Sequence, residues 1–367
     1  MTIHIKELVP ANATHPGEVL KEELEANAIK QKDFALQTGI PRTQLNEIIK
    51  GKRGINADIA LRIGKALQMD ADLWMNLQSG FDLAIARIKE KNRAQLEAMD
   101  RWDMIKNYIP LKFYKKHSVI SGNPLKDIET VFTIYGAKNS DELISVYSKT
   151  SYACFRKSEK LEIDKINLIG WVKLVNYKAT QLSVAAFDCS SKEQLLAELK
   201  QIFRANKNTV ELTQLTLGRH GIKLVAQQKP DKCAIDGISF WSNGNPAVGI
   251  SLRHLRIDNF AFTIMHELGH IFLHLVNNNT AEFIDLEDSD NGYGNSKEEI
   301  EANQFSADAL IDKHAWQDFT AKSTIHNTKH VYDFAKKVGV HPALIYGRYS
   351  KETGNYKIKT SIDRALQ

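Results

Sequence analysis

The residues His266-Glu267-Leu268-Gly269-His270 form the pattern HExxH. Residues four apart on an α-helix lie about 40° apart around its axis, so both imidazoles can reach one metal ion while Glu267 projects beside them. Zinc in such a site needs a third protein ligand and an open position for water. Glu267 would accept a proton from that water, while the metal polarises a carbonyl group. The alternative interpretation is two core histidines satisfied by hydrogen bonds.

The segment 297–310 is the candidate source of the third ligand. Read as a helix, it places Glu299 and Asn303 on one face, because they are four residues apart. There Glu299 could bind zinc and Asn303 could orient a ligating histidine. Glu298 and Glu301 lie on other faces of the helix and are predicted to be solvated.

These two segments together resemble the ImmA/IrrE-type metallopeptidase family, over 262–270 and 299–305. The resemblance extends over roughly the last 175 residues and implies a zincin-like α+β fold, a Zn²⁺ cofactor and Glu299 as the third ligand. It also implies an endopeptidase that cleaves a regulatory protein, either a repressor or an antitoxin. Two features depart from the family pattern. No proline follows Leu310, and Asn303 stands where aspartate is common, which predicts a lower zinc affinity than in an aspartate relative.

Other polar residues near this motif have open roles. His254, Tyr293 and His341 could each stabilise an oxyanion, but surface or hydrogen-bonded positions are the simpler interpretation. His274, four residues beyond His270, lies on a similar helix face and is predicted to be too far along to share the ion. The acidic run 282–290 is interpreted as a solvated loop.

A helix and a small sheet must position the HExxH motif. Apolar residues from Phe260 to Leu275 predict a buried helix around it. Before it, alternating patterns separated by Pro- and Gly-containing turns predict short strands at 221–225, 235–240 and 247–251. Further helices are predicted at 82–108, 126–135, 141–147, 163–176 and 192–203.

Near the N-terminus the sequence predicts two short helices that meet at a tight turn. The first covers 31–38 and ends at Gly39, and Pro41 opens the second. A helix-turn-helix has this layout and places its second helix in the major groove of DNA, although an ordinary helical hairpin would share the spacing. Amide and guanidinium groups can read bases, and lysines can contact phosphates. The predicted DNA contacts are Arg42, Thr43, Gln44, Asn46, Lys50, Lys52 and Arg53.

Almost all of the first eighty residues resemble the HigA-type antitoxin branch of the phage-repressor-like regulators. The resemblance is carried by the segments 14–20, 31–35, 47–55, 60–62 and 74–78. It implies a homodimer that binds a double-stranded DNA operator, commonly at its own promoter, and in many relatives a cognate toxin as partner.

Length and composition frame these assignments. The 367 residues, of which 43% are hydrophobic and 25% charged, predict a folded multidomain chain with a modest net charge of +5. The N-terminal sequence has no signal-peptide pattern, and no apolar run approaches the roughly 20 residues of a membrane helix, so we expect a cytoplasmic protein without a membrane partner. The widely spaced Cys154, Cys189 and Cys233 are expected to be reduced.

The predicted architecture has three parts. An all-α helix-turn-helix domain covers 1–80, a helical linker and middle region covers 81–191, and an α+β metallopeptidase domain with a small sheet covers 192–367. The leading hypothesis is a transcriptional regulator with a zinc-dependent endopeptidase domain. One alternative is a HigA-like antitoxin repressor whose metallopeptidase-like domain is non-catalytic and serves in sensing or toxin binding. A second is an enzyme whose helix-turn-helix only dimerises or docks substrate.

Overall fold

The structure is a computed structural model that describes residues 13–155, 164–286, 296–321, 325–358 and 360–367, with the backbone alone described at 90, 91 and 150–155. The chain divides into two compact units, Met1–Arg101 and Trp102–Gln367. The domain limits at 80 and 191 stay predictions. Among the described residues, no helix combines the length and the apolar character needed to cross a membrane.

The first unit is helical. Its elements are α1 (Pro16–Ala26), α2 (Gln31–Thr38), α3 (Arg42–Ile49), α4 (Ala57–Leu67), α5 (Ala71–Ile88) and α6 (Glu90–Ile105), the last of which crosses into the second unit. The buried core includes Leu20, Phe34, Leu45, Ile48, Ile63 and Trp74. Burial of so many large apolar side chains supplies the main stabilisation of this unit.

Helix α2 buries Phe34 and leaves Leu36 76% exposed, because two residues along a helix rotate a side chain by about 200°. One expectation about these helices was wrong. The single helix expected over 82–108 is two helices that break at Lys89, where ψ is 119°. The side-chain amide of Asn92 donates a hydrogen bond to the Ala86 carbonyl at 2.9 Å, which satisfies the exposed end of α5.

The start of α1 is held against the end of α3. His15 caps α1 by accepting a hydrogen bond from the Gly17 backbone, and Glu18 completes a capping box. A Cβ at Gly17 would lie only 1.8 Å from the Ile48 carbonyl oxygen, so a glycine is required for this close approach. The His15 ring also meets Phe81 edge to face at 4.7 Å. Helices α1, α3 and α5 are therefore joined at one buried point.

The second unit combines helices with a sheet. Its helices are α7 (Leu111–Lys116), α8 (Pro124–Tyr135), α9 (Ser140–Phe155), α10 (Lys165–Thr180), α11 (Lys192–Ala205), α12 (Thr209–Arg219), α13 (Ile257–His270), α14 (Lys297–Leu310), α15 (Lys313–Thr320), α16 (Thr328–Val338) and α17 (Pro342–Thr353). A π-helical turn, Ile271–Leu275, continues α13, and short 3₁₀ turns cover Lys106–Tyr108 and Cys189–Ser191. The strands are β1 (Lys223–Ala226), β2 (Ile235–Ser242), β3 (Asn245–Ile250) and β4 (Phe283–Leu286).

Within the described residues the strands form a four-stranded sheet in the order β1-β3-β2-β4. Strand β1 is parallel to β3, while β2 is antiparallel to both β3 and β4. Asn243 and Gly244, with φ of 48° and 84°, join β2 to β3. An Asn-Gly pair with positive φ at both residues matches the twist of a two-residue hairpin. Three of the strands were expected, and β4 was not.

The sheet lies between α10 and α13. A Cβ on Gly249 would meet Val175 of α10 at 2.4 Å, whereas one on Gly237 would meet Glu267 of α13. Gly249 pairs with Ile238, and successive strand residues point to opposite faces, so these two helices cover opposite sides. Helix α10 precedes the limit predicted at 191, yet it packs on this sheet.

Helix α14 coincides with the predicted helix 297–310. Ser296 begins it by accepting a hydrogen bond from the Glu299 backbone at 3.2 Å. At its other end the buried guanidinium of Arg348 donates to the carbonyls of Ala307 and Ile311, at 3.0 and 2.8 Å. Arginine can satisfy the carbonyls that a helix end leaves unpaired. These hydrogen bonds satisfy carbonyl groups at the end of α14, which lacks the proline that is common in the resembled family.

Candidate metal centre and nucleic-acid interface

Helices α13 and α14 bring together His266, His270 and Glu299. The two histidine Nε2 atoms are 3.1 Å apart, and the Glu299 carboxylate oxygens lie 3.2 Å from His266 and 3.5 Å from His270. Four ligands at about 2.0–2.1 Å from a tetrahedral zinc ion would be about 3.3 Å apart, so these separations fit that ion. Nitrogen and carboxylate oxygen donors also fit its chemistry.

These ligands are buried and electrostatically coupled. Burial alone lowers the pKa of His266, but the surrounding carboxylates of Asp285, Glu299 and Glu267 outweigh it and raise that pKa to about 9. Burial lowers the pKa of His270. Burial alone would raise the pKa of Glu299, but the hydrogen bonds from both histidines outweigh burial and lower that pKa to about 2. The cluster thus keeps an ionised carboxylate beside two imidazoles.

Glu267 lies beside the ligands and is fully buried. The Ser239 hydroxyl, from β2, donates to its Oε2 in a short hydrogen bond and lies 3.1 Å from its backbone carbonyl. Its other oxygen, Oε1, has no hydrogen-bond partner among the residues that the structure describes. Burial raises the pKa of Glu267 well above the usual carboxyl value. A buried carboxylate oxygen without a hydrogen-bond partner lowers the stability of the fold. Proteins commonly keep such groups at functional sites, where the group takes part in chemistry.

Two residues of the sheet were not foreseen at this site. Gly237 leaves the space that the Glu267 carboxylate fills, since a Cβ there would lie 2.1 Å from Oε1. Ser239 is two residues further along β2. Residues two apart on a strand face the same side of the sheet, so the sequence spacing indicates that Gly237 and Ser239 both face α13. Sequence reasoning had treated β2 only as part of a supporting sheet.

Asp285 also approaches the site. One of its carboxylate oxygens lies with donor atoms of His266 and Glu267 inside a group whose members are all within 4.8 Å. The expectation of a solvated loop is wrong for 283–286, which form β4 against β2. Alternation along β4 buries Ile284 and Leu286 and turns Phe283 and Asp285 the other way. The rest of the acidic run lies partly outside the described residues.

His274 and Glu301 extend the cluster away from the ligands. His270 Nδ1 lies 3.2 Å from His274 Nδ1, and His274 Nε2 lies 3.0 Å from Glu301 Oε2. Glu301 keeps the predicted solvent exposure, at 41% of its side chain, and its carboxylate also pairs with a ring across the helix interface. The His270 ring stacks on Phe283 with centroids 4.5 Å apart.

The remaining candidates have separate positions. The Oδ1 atom of Asn303 accepts a hydrogen bond from Lys351 at 2.6 Å, and its orienting role stays a prediction. His341 caps α17 through Nδ1. His254 and Asp236 line a small pocket that Thr263, one turn before Glu267, also borders. Tyr293 lies outside the described residues.

In the first unit, α2 and α3 meet through Gly39, whose φ of 66° allows the tight turn. Leu45 and Ile48 point into the core, and the predicted base-reading side chains lie on the outer side of α3. Of these, Arg42 and Thr43 are exposed, and Gln44 and Asn46 are half-buried. Lys50, Lys52 and Arg53 are exposed beyond the helix, where Arg53 also pairs with Glu47 at 2.7 Å.

These features define a chain that joins a helix-turn-helix domain to an HExxH domain with a histidine and glutamate cluster. Residues 20–74 match the profile of the helix-turn-helix family, and 217–348 match that of the IrrE N-terminal-like domain of peptidase family M78. The chain belongs to the HigA-like helix-turn-helix regulators in its first part and carries an IrrE N-terminal-like domain in its second.

Relatives of the first part include Virulence-associated protein I of Dichelobacter nodosus, which is 39% identical over 75 residues, or 20% of this chain and 69% of the relative. Solved structures include the antitoxin HigA of Pseudomonas aeruginosa with the higBA promoter, at 34% identity and a TM-score of 0.22, covering 23% of this chain and 95% of that one. A HigA-family addiction module antidote protein from Coxiella burnetii is 33% identical, with the same coverages and TM-score.

Proposed function

We propose that this chain is a cytoplasmic, homodimeric transcriptional regulator whose C-terminal domain is a zinc-dependent endopeptidase that cleaves a regulatory protein, such as a repressor or an antitoxin. The observation that carries the proposal is the convergence of His266, His270 and Glu299, with ligand atoms within 4.8 Å of one another, beside the buried Glu267. The match of 217–348 to a peptidase family supports the same reaction class.

Metal binding and proton transfer are assigned to different residues of the site. The two histidines and Glu299 would hold zinc, which when bound supplies Lewis-acid chemistry that polarises a carbonyl and makes water more acidic. Glu267 would take a proton from the attacking water and deliver it to the leaving amine. Ser239 holds one oxygen of that carboxylate, so that the unpaired Oε1 is the atom available for the proton.

The DNA half of the proposal depends on α3. Its outer side presents Arg42 and Thr43 to solvent, and exposed Lys50 and Lys52 follow at its end. Guanidinium and amide groups read base edges, whereas lysines neutralise phosphates. We propose an operator at the chain's own promoter, which a homodimer would contact in two half-sites. A cognate toxin is a further proposed partner.

Metal analysis tests the peptidase half. After zinc-supplemented purification, we expect about one zinc per wild-type chain, and loss of that zinc in His266→Ala and Glu299→Ala. Glu267→Gln should retain zinc but fail to cleave. Mass spectrometry of proteins that accumulate in a Glu267→Gln strain would then identify the substrate. Zinc-free wild-type protein, or equal cleavage by wild type and Glu267→Gln, would refute the proposal.

Gel shifts across a salt series test the DNA half. Binding to the chain's own promoter region should weaken steeply with salt, because phosphate contacts release counterions. Arg42→Ala and Gln44→Ala should relax sequence preference, whereas Lys52→Ala should weaken all sequences alike. Absence of promoter binding at every salt concentration would favour a helix-turn-helix that only dimerises or docks substrate.

The burial of Glu267 favours a second candidate function. A general base must meet water and substrate, but this side chain is 0% exposed. A HigA-like repressor could retain such a closed site for sensing or toxin binding without catalysis. In that case zinc would bind as above, the protein would repress its promoter, and proteins accumulating in wild-type and Glu267→Gln strains would be the same.

A further inference from the structure

We propose that His274 and Glu301 are positioning residues that fix the tautomer and orientation of His270 for zinc binding. The inference rests on the proposed zinc site and adds a hydrogen-bonded relay to it. His270, His274 and Glu301 are in contact one after another, at 3.2 and then 3.0 Å. The relay leads from a ligand through the helix interface to a partly exposed carboxylate.

The nitrogen atoms of His270 have separate partners. Its Nε2 lies 3.1 Å from His266 Nε2 and 3.5 Å from a Glu299 oxygen, so this atom faces the metal position. Its Nδ1 faces away from that position, toward the ring of His274. A metal-binding imidazole needs a lone pair on the ligating nitrogen and therefore carries its proton on the other one.

The relay specifies that proton arrangement. A carboxylate only accepts hydrogen bonds, so Glu301 requires a proton on Nε2 of His274. The neutral His274 ring then has a lone pair on Nδ1, which accepts the proton of His270 Nδ1. His270 is left with its lone pair on Nε2, toward the metal position. The opposite tautomer of His270 would place two lone pairs against each other at 3.2 Å.

Packing holds the two rings in this relation. The π-helical turn Ile271–Leu275 follows directly on His270, and π-helical turns are frequent at functional sites. Phe283 of β4 stacks on His270 at an interplanar angle of 10° and lies 5.2 Å from the His274 ring centroid. The His274 side chain is 11% exposed. Its hydrogen bonds therefore compete little with water.

The relay supplies an orienting group that Asn303 was expected to provide. Asn303 binds Lys351 through Oδ1, at 2.6 Å. Glu301, two residues earlier on α14, reaches His274 instead, and its other oxygen lies 3.6 Å from Lys297. A histidine and a carboxylate together thus take the place of the single residue that usually orients a zinc-binding imidazole.

Zinc affinity, measured by competition with a chromogenic chelator on the full chain, tests the relay. His274→Leu and Glu301→Ala remove the acceptors and should weaken zinc binding roughly 10–100-fold, as loss of an outer hydrogen-bond partner commonly does. His274→Asn and Glu301→Gln each keep an acceptor oxygen and should recover part of the loss. Glu198→Gln is the matched control, because Glu198 of α11 pairs at 3.4 Å with His220, which directly follows α12.

A second readout separates positioning from general support of the fold. In zinc-free protein, ¹⁵N chemical shifts should identify a protonated Nδ1 on His270 in wild type and in His274→Asn, and a mixture of the two tautomers in His274→Leu. Zinc affinity of His274→Leu within about twofold of wild type would overturn the relay and leave the metal centre standing. Zinc-free wild type would overturn the metal centre and the relay together. Equal losses in the Asn and Leu variants would also overturn the relay.

Discussion

Replacing Gly237 with alanine tests how closely the sheet packs against Glu267. The added Cβ would lie 2.1 Å from Glu267 Oε1 and 2.8 Å from Cδ, whereas 3.4 Å is an ordinary contact. The carboxylate or the strand must therefore move by about 1.3 Å. Glu267 is fully buried, and its Oε2 is already held by Ser239, so the carboxylate has little room to rotate away.

Overpacking of this kind costs about 1–3 kcal/mol. We expect Gly237→Ala to lower the free energy of unfolding by that amount in urea denaturation of the zinc-free protein. Zinc affinity should change less, because the proposed ligands are other side chains. Gly218→Ala is the control: Gly218 lies in α12, and its added Cβ would meet Val184 at an ordinary 3.6 Å.

A double-mutant cycle with Glu267→Ala identifies the cause. Truncating Glu267 removes the atoms that the new Cβ would strike, so Gly237→Ala should cost little in that background. The coupling energy should therefore approach the roughly 1–3 kcal/mol lost in the single variant. A Gly237→Ala protein as stable as wild type, or an equal cost in both backgrounds, would refute the close packing of Glu267 on β2.

Three further predictions concern protonation, reactivity and a helix end. His266, with its pKa raised to about 9 from the ordinary 6.5, carries a proton at pH 7 in the zinc-free protein, so zinc must displace it. Zinc affinity should rise roughly tenfold per pH unit between pH 7 and 9, and the free energy of unfolding of the zinc-free protein should fall over the same range. A zinc affinity and an unfolding free energy that do not change with pH would contradict this prediction. Burial raises the pKa of Cys233 to about 12, while Cys189 is exposed. Iodoacetamide at pH 8 should modify Cys189 and spare Cys233 until denaturation, as peptide mass spectrometry would detect. Arg348→Met removes the donor to the buried Ile311 carbonyl, whereas the Ala307 carbonyl keeps its hydrogen bond from the Ile311 backbone. This variant should destabilise the protein by about 1–3 kcal/mol in urea, whereas Arg219→Met, at a surface ion pair, should change stability by less than about 1 kcal/mol.

Much of the proposed metal centre could be predicted from local pattern alone. The HExxH spacing and the apolar residues around it define α13, and the helix read over 297–310 is α14 with the same limits. Helical periodicity is strong in both segments, so the faces that carry His266, His270 and Glu299 follow directly. The meeting of the two helices was supplied by resemblance to a family and not by periodicity.

Strand β4 illustrates why other parts were missed. Its four residues lie at the start of an acidic run, and a strand so short has no pattern that separates it from a loop. Pairing with β2 gives Phe283 and Asp285 their positions. The contact between His274 and Glu301 was hidden for a similar reason, because it joins two helices and depends on a π-helical turn. Tertiary packing decides such features, and sequence spacing does not record it.

The cap that Arg348 places on α14 bears on the order in which the chain can fold. The carbonyls that it binds belong to residues 41 and 37 positions earlier. On a ribosome, the histidines and Glu299 would be synthesised well before the arginine that completes the end of the Glu299 helix. Contacts that span long stretches of chain form late. A nascent chain would therefore hold an unfinished cluster until α17 has emerged, and any metal captured earlier would bind a less constrained site.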